Sequence, residues 1–345
     1  MKKVKIGLVG LGWMGSWHGR NVLANNNAEL IAVADANQSG ISAFFKANNF
    51  ECKSFNDYSR FLESNIDAVI IATPNAMHAQ MCIEAAKKGK HIFCEKPMAL
   101  NLEDSKRVRE AVHKAKVKYL IGYHRRFNPL YSYVKDIVNE GKMGKVFAVE
   151  SDYIHHVPGD LPIWSWLAKE DVAGSLFHAG SGHNVDLIRY MCGDIVEAAC
   201  FKDVYLPRKE KVETEDTALA IFRFKSGAIG KVCCCVGPVM PFNFTLRLFG
   251  TKGSAVNNRI WFDSIPRFDQ SGHENDCIEL PAQWIPDNEQ GGISETWDKL
   301  MNHFIDMLVN NTPCINDVDS AYKTSAACFA ALKSAQTKEI VKVED

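Results

Sequence analysis

A two-part α/β chain is what this sequence predicts, and three observations predict it. Over the first 123 residues short apolar runs alternate with helical stretches, and beyond residue 124 strand-like segments follow one another. The first apolar run also breaks into closely spaced glycines. Continuous apolar strands separated by helices indicate a parallel sheet covered on both faces, whereas strands joined by turns indicate a mostly antiparallel one. The expected architecture is a parallel, helix-covered domain over 1–123 and an α+β domain over 124–345 with a large, mostly antiparallel open sheet. At 345 residues, 46% hydrophobic and 23% charged, the chain can fill two cores, and a disordered chain is excluded.

Taken in order, Val4 to Val9 is apolar and β-rich and ends in glycines, with a helix expected from about Met14 to Leu23. Leu30 to Ala34, ending at Asp35, and Ala68 to Ala72 are further buried-strand runs. A helix from about Ala76 to Lys88 is closed by Gly89, and His91 to Cys94 reads as a short strand. Leu102 to Lys116 is a charged amphipathic helix, and Tyr119 to Ile121 a last parallel strand. In the second part a helix at about Leu130 to Glu140 precedes a long strand-like run, Lys145 to His156. Alternating segments follow at Thr217 to Phe224, Ala228 to Cys235, Phe242 to Phe249 and Ala255 to Phe262. Turn signals at Lys225-Ser226-Gly227 and Gly250-Thr251-Lys252-Gly253 separate some of them, and helices at about Ser294 to Asn310 and Asp317 to Ala335 close the chain.

Forty Lys+Arg against 41 Asp+Glu, with no local basic run, argue against nucleic acid or an anionic membrane as partner. Runs such as Ala68-Val69-Ile70-Ile71-Ala72 are too short to cross a bilayer, and Met1-Lys2-Lys3 leads into a strand-like segment without a leader pattern. The eleven cysteines are an odd number with no CxxC spacing. Cys233, Cys234 and Cys235 are consecutive in an apolar run, where neighbours face opposite sides, so they read as buried strand and no metal is expected. A reducing compartment, the cytoplasm, is the expected location.

Gly10-Leu11-Gly12-Trp13-Met14-Gly15 fits GxGxxG between a strand and a helix, with an acid, Asp35, at the end of the second strand. This is the Rossmann dinucleotide-binding pattern. Gly10 allows the tight turn, Gly12 lets backbone approach a pyrophosphate, and Gly15 lets helix and sheet pack closely. The helix start offers N–H groups and partial positive charge to phosphates. Asp35 can accept from the adenosine ribose hydroxyls, and no arginine follows in Ala36-Asn37-Gln38-Ser39 to hold a 2′-phosphate, which favours NAD over NADP. FAD or S-adenosylmethionine would fit the glycines alone.

Glu95-Lys96-Pro97 ends a buried strand at the edge where open α/β sheets bind ligands. The Lys96 cation can steady alkoxide charge, or it can be an ordinary surface lysine; the bond to Pro97 is a place where a cis peptide is cheap. Gly174 to Asp186 leads small residues into a helix expected from Gly182 to Met191, with His183 and Asp186 three apart on one face. A histidine there can transfer a proton or can be a buried, backbone-bonded one. On the strand after residue 145, Tyr153 and His155 share a face, His156 points to the other, and Trp164 and Trp166 follow. Such aromatics suit a carbohydrate pocket or a domain core equally.

Gly10-x-Gly12-x-x-Gly15, Ala72-Thr73-Pro74-Asn75 with His78, Glu95-Lys96-Pro97, Arg125-Arg126-Phe127-Asn128-Pro129 and His183-x-x-Asp186 together resemble the Gfo/Idh/MocA oxidoreductases, in order and across nearly the whole chain. The resemblance implies NAD(P)-dependent chemistry on sugars, inositols or related polyols, with the C-terminal sheet often joining dimers or tetramers. It implies that Lys96 is the active-site lysine before a cis bond, and that His183 is the acid/base. Thr73, Asn75 and His78 would line the cofactor with Trp13, Met14 and Glu95. Substrate would meet Arg126, Tyr153, His155, Trp164 and Asp186. Many members carry an Asp four residues before the histidine, where this chain has Ala179. If the loop holds one extra residue at Gly182, His178 takes that place. Two other functions stay open: a glycosidase that oxidises its substrate transiently, and a non-enzymatic sugar or dinucleotide sensor.

Overall fold

Residues 3–157, 164–205, 212–262, 277–285 and 292–345 are described by the structure, a computed structural model; Met1 and Lys2 lie outside them. The chain divides into two compact units. The first holds 1–123, 171–174 and 297–325, and the second 124–170, 175–296 and 326–345. The linear reading gives 171–174 and 297–325 to the second domain. They join the first because Trp297 packs edge-on against Trp13 and Trp17, at 5.2 and 5.3 Å between ring centroids, and the Asn316 carbonyl accepts from the Ile121 N–H.

In the first unit, strands β1 (Val4–Val9), β2 (Ala28–Ala34), β3 (Lys53–Phe55), β4 (Ala68–Ile71), β5 (His91–Cys94) and β6 (Tyr119–Ile121) alternate with helices α1 (Trp13–Ala24), α2 (Gln38–Asn48), α3 (Tyr58–Leu62), α4 (Asn75–Lys87) and α5 (Leu102–Ala115). All strand pairs are parallel, in the order β3-β2-β1-β4-β5-β6. This is the doubly wound order whose halves meet at β1 and β4, so ligands sit beyond the carboxyl ends of those strands. Ile6, Leu8, Val69, Ile70, Ile92 and Phe93 are fully buried, as both-face coverage demands. Asn37, Asp57 and Asn101 cap α2, α3 and α5 through side-chain oxygens, whereas no side chain caps α1 and no acid stands in its first turn.

The second unit begins with α6 (Pro129–Asn139), capped by Asn128, and β7 (Val146–His155). The single-turn helix α7 (Trp164–Leu167) and α8 (Glu170–Ala173), most of which counts with the first unit, precede α9 (Leu176–Cys192). Strands β8 (Ile195–Asp203), β9 (Thr217–Phe224), β10 (Ile229–Val236), β11 (Asn243–Phe244), β12 (Arg247–Gly250), β13 (Gly253–Val256), β14 (Arg259–Phe262) and β15 (Ile278–Glu279) follow. Helices α10 (Gly292–Val309) and α11 (Val318–Thr337), which count with the first unit over 297–325, and strand β16 (Val341–Lys342) end the chain. The sheet runs β15-β14-β13-β12-β7-β10-β9-β8-β16, antiparallel except for β7 with β10.

Three expectations change. Phe242 to Phe249 is two strands, β11 and β12, and Ala255 to Phe262 is the turn of a hairpin, since Asn257 takes the left-handed conformation at φ 49°. The helix bearing His183 starts at Leu176 rather than Gly182, because the Ser175 hydroxyl accepts from the His178 N–H at 3.3 Å and caps it there. Helix continues through Gly180 and Gly182, so no loop exists to hold an extra residue. Gly180 has a packing reason: a Cβ there would stand 2.9 Å from the Tyr153 ring.

Candidate functional site: a dinucleotide cradle and a histidine helix

In the first unit the glycine loop is built as a cradle. Gly10 has φ +87°, and a Cβ on it would lie 2.4 Å from the Ala72 carbonyl oxygen. A Cβ on Gly15 would lie 1.7 Å from the Gly10 oxygen, while nothing lies within 4 Å of one on Gly12. The tight turn, the close packing and the open approach thus fall on the three glycines in order. Trp13 is exposed and Met14 half-buried at the uncapped start of α1, whose free N–H groups suit a pyrophosphate. Asp35 ends β2 with one carboxylate oxygen accepting from Leu11 N at 2.6 Å and the other from Asn37 N at 2.7 Å. Each oxygen keeps a lone pair for a ribose hydroxyl. These residues fit a dinucleotide.

The second cluster of this unit follows β4 and β5. His78, fully buried on α4, sets Nδ1 2.7 Å from the Pro97 carbonyl and Nε2 2.8 Å from that of Thr73. Carbonyls only accept, so both ring nitrogens must donate and the ring is an imidazolium. Burial opposes that charge, but Cys94 and the two carbonyls outweigh it and raise the ring to about 9. His78 therefore braces the two loops instead of touching a ligand. Nitrogen NMR should show both ring nitrogens protonated at pH 7.5; a ring that titrates near the ordinary value of about 6.5 overturns this. Asn75 donates to the Ala173 carbonyl at 2.8 Å, and Thr73 lends its own carbonyl to His78.

Glu95 is buried, its Oε1 2.7 Å from His18 Nε2 and its Oε2 accepting from the Lys96 N–H at 3.1 Å. Burial pushes this carboxyl up, but the His18 hydrogen bond and charge and the Lys96 cation hold it below the usual range. Each Glu95 oxygen thus has one partner within the protein, one of them the Lys96 backbone N–H. Lys96 is half-buried before a cis bond to Pro97. Burial pulls its amine down while the Glu95 charge resists, which brings it closer to a pH at which it can exchange a proton. His18 escapes a reading of sequence: one histidine on an inward helix face carries no signal until its partner is known.

In the second unit α9 carries the histidines. The His183 ring meets that of His124 edge-on at 4.8 Å, and His124 Nδ1 lies 2.6 Å from the Thr296 hydroxyl. His178, five positions earlier on a continuous helix, faces another way and packs on Phe329 at 4.6 Å. The extra loop residue on which a role for His178 beside His183 depended is not there, since the helix is continuous. Asp186 and Arg126, both expected at substrate, meet each other. Asp186 is fully buried and accepts from Arg126 Nε and Nη2 at 2.8 and 2.6 Å, a bidentate pair stacked 5.0 Å from the Tyr190 ring. Trp164 is 1% exposed within the core cluster and cannot stack on a sugar. Tyr153 and His155 do share a face, with Tyr153 Oη 3.0 Å from His155 Nδ1, and both are half-buried.

Comparison with known proteins agrees with both units. Residues 4–123 match the family described as an oxidoreductase family with an NAD-binding Rossmann fold, and residues 131–256 match the GFO/IDH/MocA C-terminal domain. A myo-inositol 2-dehydrogenase of Thermotoga maritima is 30% identical over 272 residues, covering 78% of this chain and 79% of the relative. A scyllo-inositol 2-dehydrogenase (NAD(+)) of Bacillus subtilis is 28% identical over 347 residues, covering 92% and 90%. In fold, a levoglucosan dehydrogenase solved in complex with NADH superposes with a TM-score of 0.89 at 23% identity, covering 100% of both chains.

Proposed function

The chain belongs to the GFO/IDH/MocA oxidoreductase family, and from that premise we propose that it transfers a hydride between NAD and a secondary hydroxyl of a sugar, inositol or sugar derivative. The observation that carries the proposal is Lys96: a half-buried amine, lowered by burial against the charge of buried Glu95, which also holds the Lys96 backbone N–H, at the ligand edge of the parallel sheet. NAD supplies the hydride acceptor at its nicotinamide. Lys96 steadies the oxygen as it gains alkoxide character, and His183 takes the hydroxyl proton. The glycine loop and Asp35 hold the phosphates and ribose; Tyr153 and His155 present an aromatic, hydrogen-bonding face to the polyol. Incubation with NAD and a panel of inositols, aldoses, uronic acids and amino sugars tests the reading. Net NADH should accumulate with at least one of them; a closed redox cycle with cleavage, or no redox at all, overturns it.

The Asp35 carboxylate repels a 2′-phosphate and no arginine offsets it, so NAD should bind more tightly than NADP. Titration of both against tryptophan fluorescence checks this, and the exposed Trp13 beside the cradle is a ready reporter. Equal or reversed affinities sink the preference, and Asp35→Ser should narrow it.

The outer face of the second sheet exposes Phe201, Leu219, Ile221 and Ile229 beside ion pairs such as Arg223–Glu197 and Lys231–Asp152. An antiparallel sheet with such a face is the place for a second copy, and a dimer or tetramer is expected through it. Sedimentation at micromolar concentration should show more than the 38.5 kDa chain, and Ile221→Lys should return it to that mass. No disulfide joins the eleven cysteines, which fits the cytoplasm.

A further inference from the structure

Arg125 is the anomaly of the second unit. It is 2% exposed, and among the described residues neither Nε nor Nη1 has a hydrogen-bond partner. Among the described residues no carboxylate faces it. The guanidinium lies 3.4 Å from the Phe244 ring centroid and 6.0 Å from that of Phe242, with Tyr131 and Tyr153 as its other neighbours. The adjacent Arg126 is taken by Asp186. Burial pulls Arg125 down to about 10, which still leaves it charged at neutral pH. A buried cation left without a counter-charge costs stability, so a fold that keeps one has a use for it.

The surroundings indicate that use. Tyr153, His155, Phe242 and Phe244 form one ring cluster, with centroids 4.6 to 5.8 Å apart between successive members, against the helix that carries His183. Phe242 and His155 are half-buried and give the cluster its opening to solvent, while Phe244 and Arg125 close its inner end. Aromatic walls suit the C–H face of a sugar ring, and a guanidinium behind them suits two coplanar oxygens. One positive charge, with the adjacent Arg126 already paired to Asp186, matches a carboxylate better than a phosphate dianion.

We infer that Arg125 anchors a carboxylate carried by the substrate, so that the polyol oxidised is a sugar acid of the hexuronate class; this rests on the hydride-transfer reading above. The carboxylate enters past Phe242 and accepts from an Arg125 N–H that the described residues leave without a partner.

The test uses the whole protein with NAD and two matched pairs, glucuronate against glucose and galacturonate against galactose, followed by turnover and by calorimetric titration. The wild type should favour the acid of at least one pair by about tenfold or more. Arg125→Met should abolish that preference while changing the neutral member less than about threefold. Because the mutation removes an uncompensated charge, the ligand-free Tm should hold or rise. A neutral sugar preferred in both assays overturns the inference, as does equal loss on acid and neutral sugar with a fallen Tm, which would make Arg125 structural. If no sugar reduces NAD the hydride-transfer reading fails by itself, and calorimetry still decides whether the carboxylate binds and needs Arg125.

Discussion

Alanine in place of Lys96 or His183 is expected to lower kcat by roughly 10²–10⁴-fold, the worth of a positioned acid or base. NAD affinity should barely move, because the cradle glycines and Asp35 hold the dinucleotide. If the two groups serve one proton transfer, the double variant loses far less than the product of the single losses. His178→Ala supplies the contrast: with its ring on Phe329, turnover should stay within a few-fold of normal. Steady-state kinetics on the best substrate of the panel check all three. Full activity in Lys96→Ala removes the proposed chemistry, and a loss in His178→Ala matching that of His183→Ala returns His178 to the relay.

Breaking the Arg126–Asp186 pair is expected to cost about 3–5 kcal/mol of stability, because either single truncation strands a buried charge. The pair is bidentate, and its acid is wholly buried. Arg126→Met combined with Asp186→Leu should recover part of the loss, since the pair's own charges go together while buried Arg189 keeps Asp194 as its partner. Denaturant melts of the two single variants and the double one measure this. A single variant within about 1 kcal/mol of wild type would show that water reaches the site and relieves the charge.

What the sequence yields follows from how local each signal is. The glycines between β1 and α1, the acid after β2 and the lysine after β5 are each set by a few neighbouring residues, and they lie where the pattern puts them. The start of α9 was hidden because glycines at 180 and 182 read as loop, whereas one of them is small to admit the Tyr153 ring. Asp186, Arg126 and Trp164 show the other limit. A charged or aromatic residue near a motif looks functional until a distant partner, or a core, is seen to claim it. His78 is the converse: the motif singles it out, but only the two carbonyls reveal that it carries a charge and braces loops. Arg125 lies in the same motif as Arg126, and nothing in sequence tells the paired guanidinium from the bare one.

Asp35 holds the glycine loop as well as facing the ribose, since one of its oxygens takes the Leu11 N–H. The order in which mutations can change cofactor preference is therefore constrained. Loss of the acid alone removes repulsion of a 2′-phosphate but also unties the backbone that cradles the pyrophosphate, so affinity for both dinucleotides falls before either gains. An arginine introduced first, at Asn37 or Gln38, would add attraction while the tether stands. A lineage drifting towards NADP, or an engineer retracing it, should find the passable route in that order, with the acid surrendered last.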